Sequence, residues 1–136
     1  MASLVMKNNI NETTNNLEKL QISDTILKYK NGNIKYKGGF LDGKANGKGI
    51  SYYESGKKWY EGEWINNKYE GNGELTYKDG SKYVGMFKNG KWEGKGKLYY
   101  CGNLEYEGEW KNGSREGKGI EYYNTIKSKD KGIKWE

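Results

Sequence analysis

From Tyr36 onward the chain alternates large rings with glycines and sets mostly charged residues between them. The pattern reads Tyr-Lys-Gly-Gly-Phe from Tyr36, Tyr-Glu-Gly-Glu-Trp from Tyr60, Tyr-Val-Gly-Met-Phe from Tyr83 and Tyr-Glu-Gly-Glu-Trp from Tyr106. A period of two is a strand signal, because successive side chains leave a strand on opposite faces. The tyrosines start units 24, 23 and 23 residues apart. Counting each tyrosine as position 0, position 4 is Phe40, Trp64, Phe87 and Trp110, and position 17 is Tyr53, Tyr77, Tyr100 and Tyr123. Glycine fills positions 2, 11 and 13 of every unit, from Gly38, Gly47 and Gly49 to Gly108, Gly117 and Gly119. Between the two alternating runs stand pairs such as Asn89-Gly90 and Asn112-Gly113, which accept the positive φ of a tight hairpin.

Each unit therefore reads as one β-hairpin, with positions 0, 2 and 4 on one face of the first strand and positions 11, 13 and 17 on one face of the second. Two strands at about 4.8 Å spacing advance the array by roughly 10 Å per unit. Glycine ordinarily weakens a strand, so its place on the packed face needs a reason. The expectation is that the ring of one unit lies on the bare backbone of its neighbour.

This pattern resembles the MORN repeat (membrane occupation and recognition nexus), whose core runs Tyr-x-Gly-x-aromatic, then Asn-Gly, then Gly-x-Gly. Four full units cover Tyr36 to Tyr123. One departure is Asn67, where the other units carry Gly43, Gly90 and Gly113; asparagine also tolerates the left-handed region. The resemblance implies an all-β, elongated single-layer solenoid of consecutive antiparallel hairpins. Residues 36–124 form four repeats. Residues 26–35 are a capping half-repeat, because Tyr29 precedes Tyr36 as Tyr53 precedes Tyr60. Residues 1–25 are an asparagine-rich tail, or a short helix carrying Leu17 and Leu20, and residues 125–136 begin a fifth hairpin at "GIKWE".

Composition agrees. With 33% hydrophobic residues and a mean hydropathy of −1.14 the chain is too poor in apolar material for one central core, and with 15% aromatic residues it is too rich for disorder. Stability should come from stacking between neighbours. No apolar run is long enough for a membrane span, and "ASLVM" is too short for a signal peptide. The lone Cys101 suits a reducing compartment. The expected location is the cytoplasm, peripheral to a membrane or the cytoskeleton.

Candidate chemistry narrows to binding. The chain has no histidine and a single cysteine, so the usual zinc and nucleophilic constellations are missing, and no catalysis, cofactor or metal is expected. Gly-x-Gly recurs, but never at the opening of a helix after a strand, which removes a phosphate cradle. The net charge of +6 draws attention to lysine columns, Lys44, Lys68 and Lys91 at position 8 and Lys48, Lys95 and Lys118 at position 12. They suit weak contact with anionic phospholipid, but Glu70, Glu93 and Glu116 at position 10 interleave with them. No concentrated basic stripe favours nucleic acid.

Protein binding is the leading reading. Position 9 carries Tyr69, Trp92 and Arg115, residue types enriched at interface hot spots. The same column has a blander alternative, in which Tyr69 and Trp92 fold back over their own hairpins. The ring groove itself, Tyr36, Phe40, Tyr60, Trp64, Tyr83, Phe87, Tyr106 and Trp110, is a further candidate for holding a peptide or helix. Ile120, Tyr122, Tyr123 and Trp135 are candidates for self-association into a homodimer through the C-terminal end. The expected function is that of a non-enzymatic scaffold binding a protein partner. The alternatives are peripheral attachment to anionic membranes or, as the family implies for a bacterial or viral source, an antitoxin-like neutralising binder.

Overall fold

The computed structural model describes residues 22–123; the expected tail up to residue 21, the fifth hairpin at 125–136 and Trp135 lie outside them. Nine strands follow one another: β1 (Ser23–Lys28), β2 (Ile34–Leu41), β3 (Lys44–Tyr52), β4 (Lys58–Ile65), β5 (Lys68–Thr76), β6 (Lys82–Lys88), β7 (Lys91–Tyr100), β8 (Asn103–Lys111) and β9 (Ser114–Glu121). They form one antiparallel sheet in sequence order, with no crossover. The expected hairpins are β2-β3, β4-β5, β6-β7 and β8-β9. β1 begins at Ser23, three residues ahead of the expected cap boundary, because its pairing with β2 runs on to Phe40.

The hairpin turns have positive φ at both central residues: Asp42 and Gly43 (51° and 76°), Asn66 and Asn67 (47° and 71°), Asn89 and Gly90 (52° and 84°), Asn112 and Gly113 (50° and 85°). This is the I′ geometry whose twist matches the flanking strands. Asn67 takes it as readily as the glycines do.

The second strand of each hairpin departs from simple alternation. Register shifts break the pairing inside every hairpin, between Gly62 and Glu63 on β4 and at the matching points of β2, β6 and β8. The position-11 glycines sit at φ 89°, 65°, 74° and 63° for Gly47, Gly71, Gly94 and Gly117. Glycine is required there for conformation, not for space. The expectation that positions 11 and 13 share a face is therefore corrected. A β-carbon on Gly73 would run into the Tyr60 ring, whereas one on Gly71 would meet Glu63, which leaves the sheet on the other side.

The core is a row of rings on one face. Tyr60 and Tyr83 have no exposed surface, and Tyr36, Trp64, Phe87, Tyr106 and Trp110 are buried with them. The position-2 and position-13 glycines pair across every strand from Gly38 on β2 to Gly119 on β9. They make one bare line across the sheet. Each tyrosine lies over the glycines of its own hairpin, which corrects the expected placement on a neighbour. A β-carbon on Gly49 would stand 2.6 Å from Cζ of Tyr36, and one on Gly73 would stand 2.5 Å from Cζ of Tyr60. The ring is held along its own strand because its hydroxyl donates to the carbonyl three residues on: Tyr36 to Gly39 at 2.7 Å, Tyr60 to Glu63 at 3.0 Å and Tyr83 to Met86 at 3.0 Å.

The link between repeats comes from position 4. Nε1 of Trp64 donates to the Gly49 carbonyl at 3.0 Å, and Nε1 of Trp110 donates to that of Gly96 at 3.2 Å. Phe87 has no N–H, and meets Tyr60 of the preceding repeat edge-on, 5.2 Å between centroids. Edge-to-face pairs of this kind add about 0.5–1.5 kcal/mol each beyond burial.

Candidate functional site

The sheet presents two faces and two edges, and the sequence candidates divide among them. On the tyrosine face, each position-9 residue packs on the position-0 ring of its own hairpin. Tyr69 stacks on Tyr60 at 3.9 Å and 12°, and Trp92 on Tyr83 at 4.4 Å and 2°. The Arg115 guanidinium lies 4.0 Å over the Tyr106 ring. In the first repeat Ala45 stands here and is buried. Tyr69 and Trp92 are half-buried against the core and so keep outward surface. Of the groove candidates, Phe40 is half-buried; the remaining seven are almost wholly covered by the array and present little area to a partner.

Burial sets the chemistry of these phenols. It pushes Tyr36, Tyr69 and Tyr83 up to about 12 and raises Tyr60 further. All stay neutral at ordinary pH, as the hydrogen bonds that Tyr36, Tyr60 and Tyr83 donate to carbonyls require.

Beyond position 9, one long edge carries aromatic surface that the sequence pattern did not single out for binding. Tyr53 stacks on Trp59 at 4.8 Å, and Trp59, Tyr77 and Tyr100 are exposed. This edge also ties repeats together: the hydroxyl of Tyr29 donates to the Tyr52 carbonyl at 2.7 Å, and that of Tyr53 to the Thr76 carbonyl at 2.6 Å.

The hairpin-turn edge has its own ladder. The position-7 amide donates to the position-9 carbonyl of the preceding repeat, from Asn67 to Ala45, Gly90 to Tyr69 and Gly113 to Trp92. Position 10 supplies a second acceptor for the same turn. Oδ1 of Asn46 accepts from the Asn66 amide at 3.0 Å, Oε1 of Glu70 from that of Asn89 at 3.1 Å and Oε1 of Glu93 from that of Asn112 at 3.1 Å. Read as charge, these glutamates looked like mere partners for lysines. The signal that identifies them is an acceptor in every unit, asparagine included.

The lysine columns separate. Lys48 and Lys95 stand opposite Glu63 and Glu109 on the face away from the tyrosines, with Lys118 in line on β9. Lys44, Lys68 and Lys91 lie at the turn edge, paired with Leu41, Ile65 and Lys88. Of the self-association candidates, Ile120 and Tyr123 are exposed at the end of the described residues, and the Tyr122 hydroxyl donates to Oε1 of Glu107 at 3.1 Å. Among the described residues no group of carboxylates and cysteines is arranged to hold a metal ion.

A comparison with known families matches the MORN repeat at residues 36–58, 60–82, 83–103 and 106–125. No curated protein matches the chain.

Proposed function

Because the chain belongs to the MORN-repeat family, a family of binding and scaffolding repeats, we propose that it is a scaffold that docks a protein partner on its tyrosine face. The supporting observation is the position-9 column. Three buried tyrosines each carry a flat group, Tyr69, Trp92 or Arg115, whose inner side is fixed by stacking. Rings held rigid before contact lose little entropy on binding, the property that makes aromatic and arginine side chains efficient anchors. The exposed Trp59, Tyr77 and Tyr100 extend that surface along the edge.

The same scaffold self-associates through its C-terminal repeat in this reading. The support for it is the exposed apolar surface of the fourth repeat, at Ile120 and Tyr123. Sedimentation at micromolar concentration tests this; a strict monomer contradicts it.

Anionic lipid remains a second reading, favoured by Lys88 and Lys91 standing opposite one another at the turn edge with Lys111 beyond them. Affinity capture from native cells, comparing the wild-type chain with the Trp92→Ala/Arg115→Ala double variant, separates the two. A protein retained by the first and lost from the second supports docking at the column. Flotation with anionic vesicles that is unchanged in the double variant, with no protein lost from it, favours lipid.

A further inference from the structure

The face away from the tyrosines is a furrow whose floor is the line of glycines and whose two walls are the residues flanking them. Two open cavities of about 680 and 580 Å³ lie along it. Glu61 and Lys97 stand on one wall, and Lys48, Glu63, Lys95 and Glu109 on the other. Lys48 is opposite Glu63 across β3 and β4, and Lys95 is opposite Glu109 across β7 and β8. The ion pairs among the described residues are nevertheless Lys58–Glu61, Lys82–Glu74 and Arg115–Glu121, so these four charges form none within the chain.

Their arrangement has a centre. β4 carries two carboxylates, Glu61 and Glu63, one on each side of Gly62, and β7 carries two ammonium groups, Lys95 and Lys97, one on each side of Gly96. The four repeats occupy β2 to β9, so their midpoint lies between β5 and β6, and β4 and β7 are equally far from it. A two-fold axis at that midpoint, parallel to the strands, lays a second copy over the furrow in reversed strand order. β4 of each copy then faces β7 of the other, and β3 faces β8.

In this register Glu61 meets Lys97, Glu63 meets Lys95 and Lys48 meets Glu109, each pair formed twice by the symmetry. Lys48 and Glu63 of one copy close a square with Lys95 and Glu109 of the other, in which every neighbour has the opposite sign. The remaining facing pairs, such as Asn72 with Met86 and Glu74 with Val84, hold at most one charge each. Other registers are refused, because like charges facing one another across a contact are costly. A slip of one strand puts Lys48 on Lys95 in one direction and Glu63 on Glu109 in the other. Turning the copy about the long axis of the array puts Glu61 on Glu63 and Lys95 on Lys97.

We propose that the glycine furrow is the contact between two copies of this chain, packed face to face in antiparallel order. Sheets packed this way lie about 10 Å apart, a gap that facing lysine and glutamate side chains span. Eight strands at about 4.8 Å, with five residues of each at about 3.4 Å, give roughly 650 Å² per copy, the lower end of the range for specific interfaces. This goes beyond self-association through the fourth repeat, since all four repeats take part. Both tyrosine faces stay outward, free for a partner.

The test is sedimentation of the full chain at micromolar concentration. Wild type should be a dimer. Glu61→Lys/Glu63→Lys and Lys95→Glu/Lys97→Glu should each be monomers, since every β4 to β7 pair becomes like-charged. Their equimolar mixture should recover the dimer, because β4 of either variant then faces the opposite sign on β7 of the other. All four side chains are exposed, which keeps the cost to each fold small. A monomeric wild type, dimers of either variant alone, or a mixture of folded variants that stays monomeric overturns the proposal. A second reading leaves the walls intact: a nitroxide on Cys101→Ser/Lys78→Cys, in the turn that lies on the axis between β5 and β6. Two labels should stand within about 20 Å, against about 38 Å for a contact through the β9 edges. Should a charge variant fail to fold, this distance decides alone. The longer distance, or no coupling between labels, overturns the furrow contact, and the longer one supports association through the fourth repeat instead.

Discussion

Trp64 donates its indole N–H to the carbonyl of Gly49, one repeat earlier, at 3.0 Å. The bond needs both partners to be what they are. A β-carbon at position 49 would collide with Tyr36, and only tryptophan among the ring residues used at position 4 carries a donor. Trp64→Phe should therefore cost about 0.5–1.5 kcal/mol, the usual net worth of one hydrogen bond, since Phe87 demonstrates that the slot accepts phenylalanine. Trp64→Ala should cost about 3–5 kcal/mol. Urea titration of both variants checks the difference.

Gly85→Val should unfold the middle of the array. A β-carbon there would stand 2.6 Å from the Lys95 carbonyl oxygen and 2.8 Å from the Tyr83 hydroxyl, and it would meet the Gly96 backbone as well. Two of these neighbours are backbone and cannot swing aside, so the loss should reach or exceed the about 1–3 kcal/mol typical of overpacking. An unchanged melting temperature would mean that the rings do not rest on these glycines.

The turn ladder predicts that Glu93→Ala weakens the joint between the third and fourth repeats by about 1 kcal/mol, through the lost acceptor for the Asn112 amide. Glu93→Gln should keep most of that stability, because Asn46 does the same work with a neutral amide oxygen. Amide exchange at Asn112 reports it directly: faster in the alanine variant, near wild type in the glutamine variant. Equal exchange in all three would show that the carboxylate contributes nothing.

Alkali should unfold this protein in a defined window. The buried phenols Tyr36, Tyr69 and Tyr83 are raised from 10.0 to about 12. Below 10 both folded and unfolded chains hold these protons, and stability is complete. Between 10 and 12 the unfolded chain releases them first, so the folded state loses ground as pH rises. The urea midpoint should be flat below about pH 9 and fall steeply above about pH 10. Tyrosinate absorbance should lag behind free tyrosine until unfolding sets in.

Much of this architecture is legible in the sequence, because each repeat repeats the same local instruction. Tyr-x-Gly-x-Trp fixes a strand and its packed face, and Asn89-Gly90 fixes the turn. What could not be read is which neighbour each side chain chooses. Periodicity gives the face of Tyr60, but the reach of its hydroxyl to the Glu63 carbonyl, which holds the ring over its own hairpin, depends on the register shift beside Gly62. The same shift turns Gly71 away from Gly73, an effect of backbone φ that a two-residue period does not contain. At position 9 the types Tyr, Trp and Arg fit both an interface and a stacked cover. The geometry gives them one stacked side each and leaves surface beyond it. Glu70 and Glu93 were hidden for another reason: their partners are backbone amides, which sequence does not display.

The central claim is that a partner meets the tyrosine face and not the glycine furrow. Hydroxyl-radical footprinting reads side chains on both at once, since Trp92 keeps outward surface on the first and Met86 is 42% exposed on the second. With the captured partner present, oxidation of Trp92, Tyr69 and Trp59 should slow while that of Met86 continues at the rate of the free chain. Protection of Met86 with Trp92 unchanged would contradict the account.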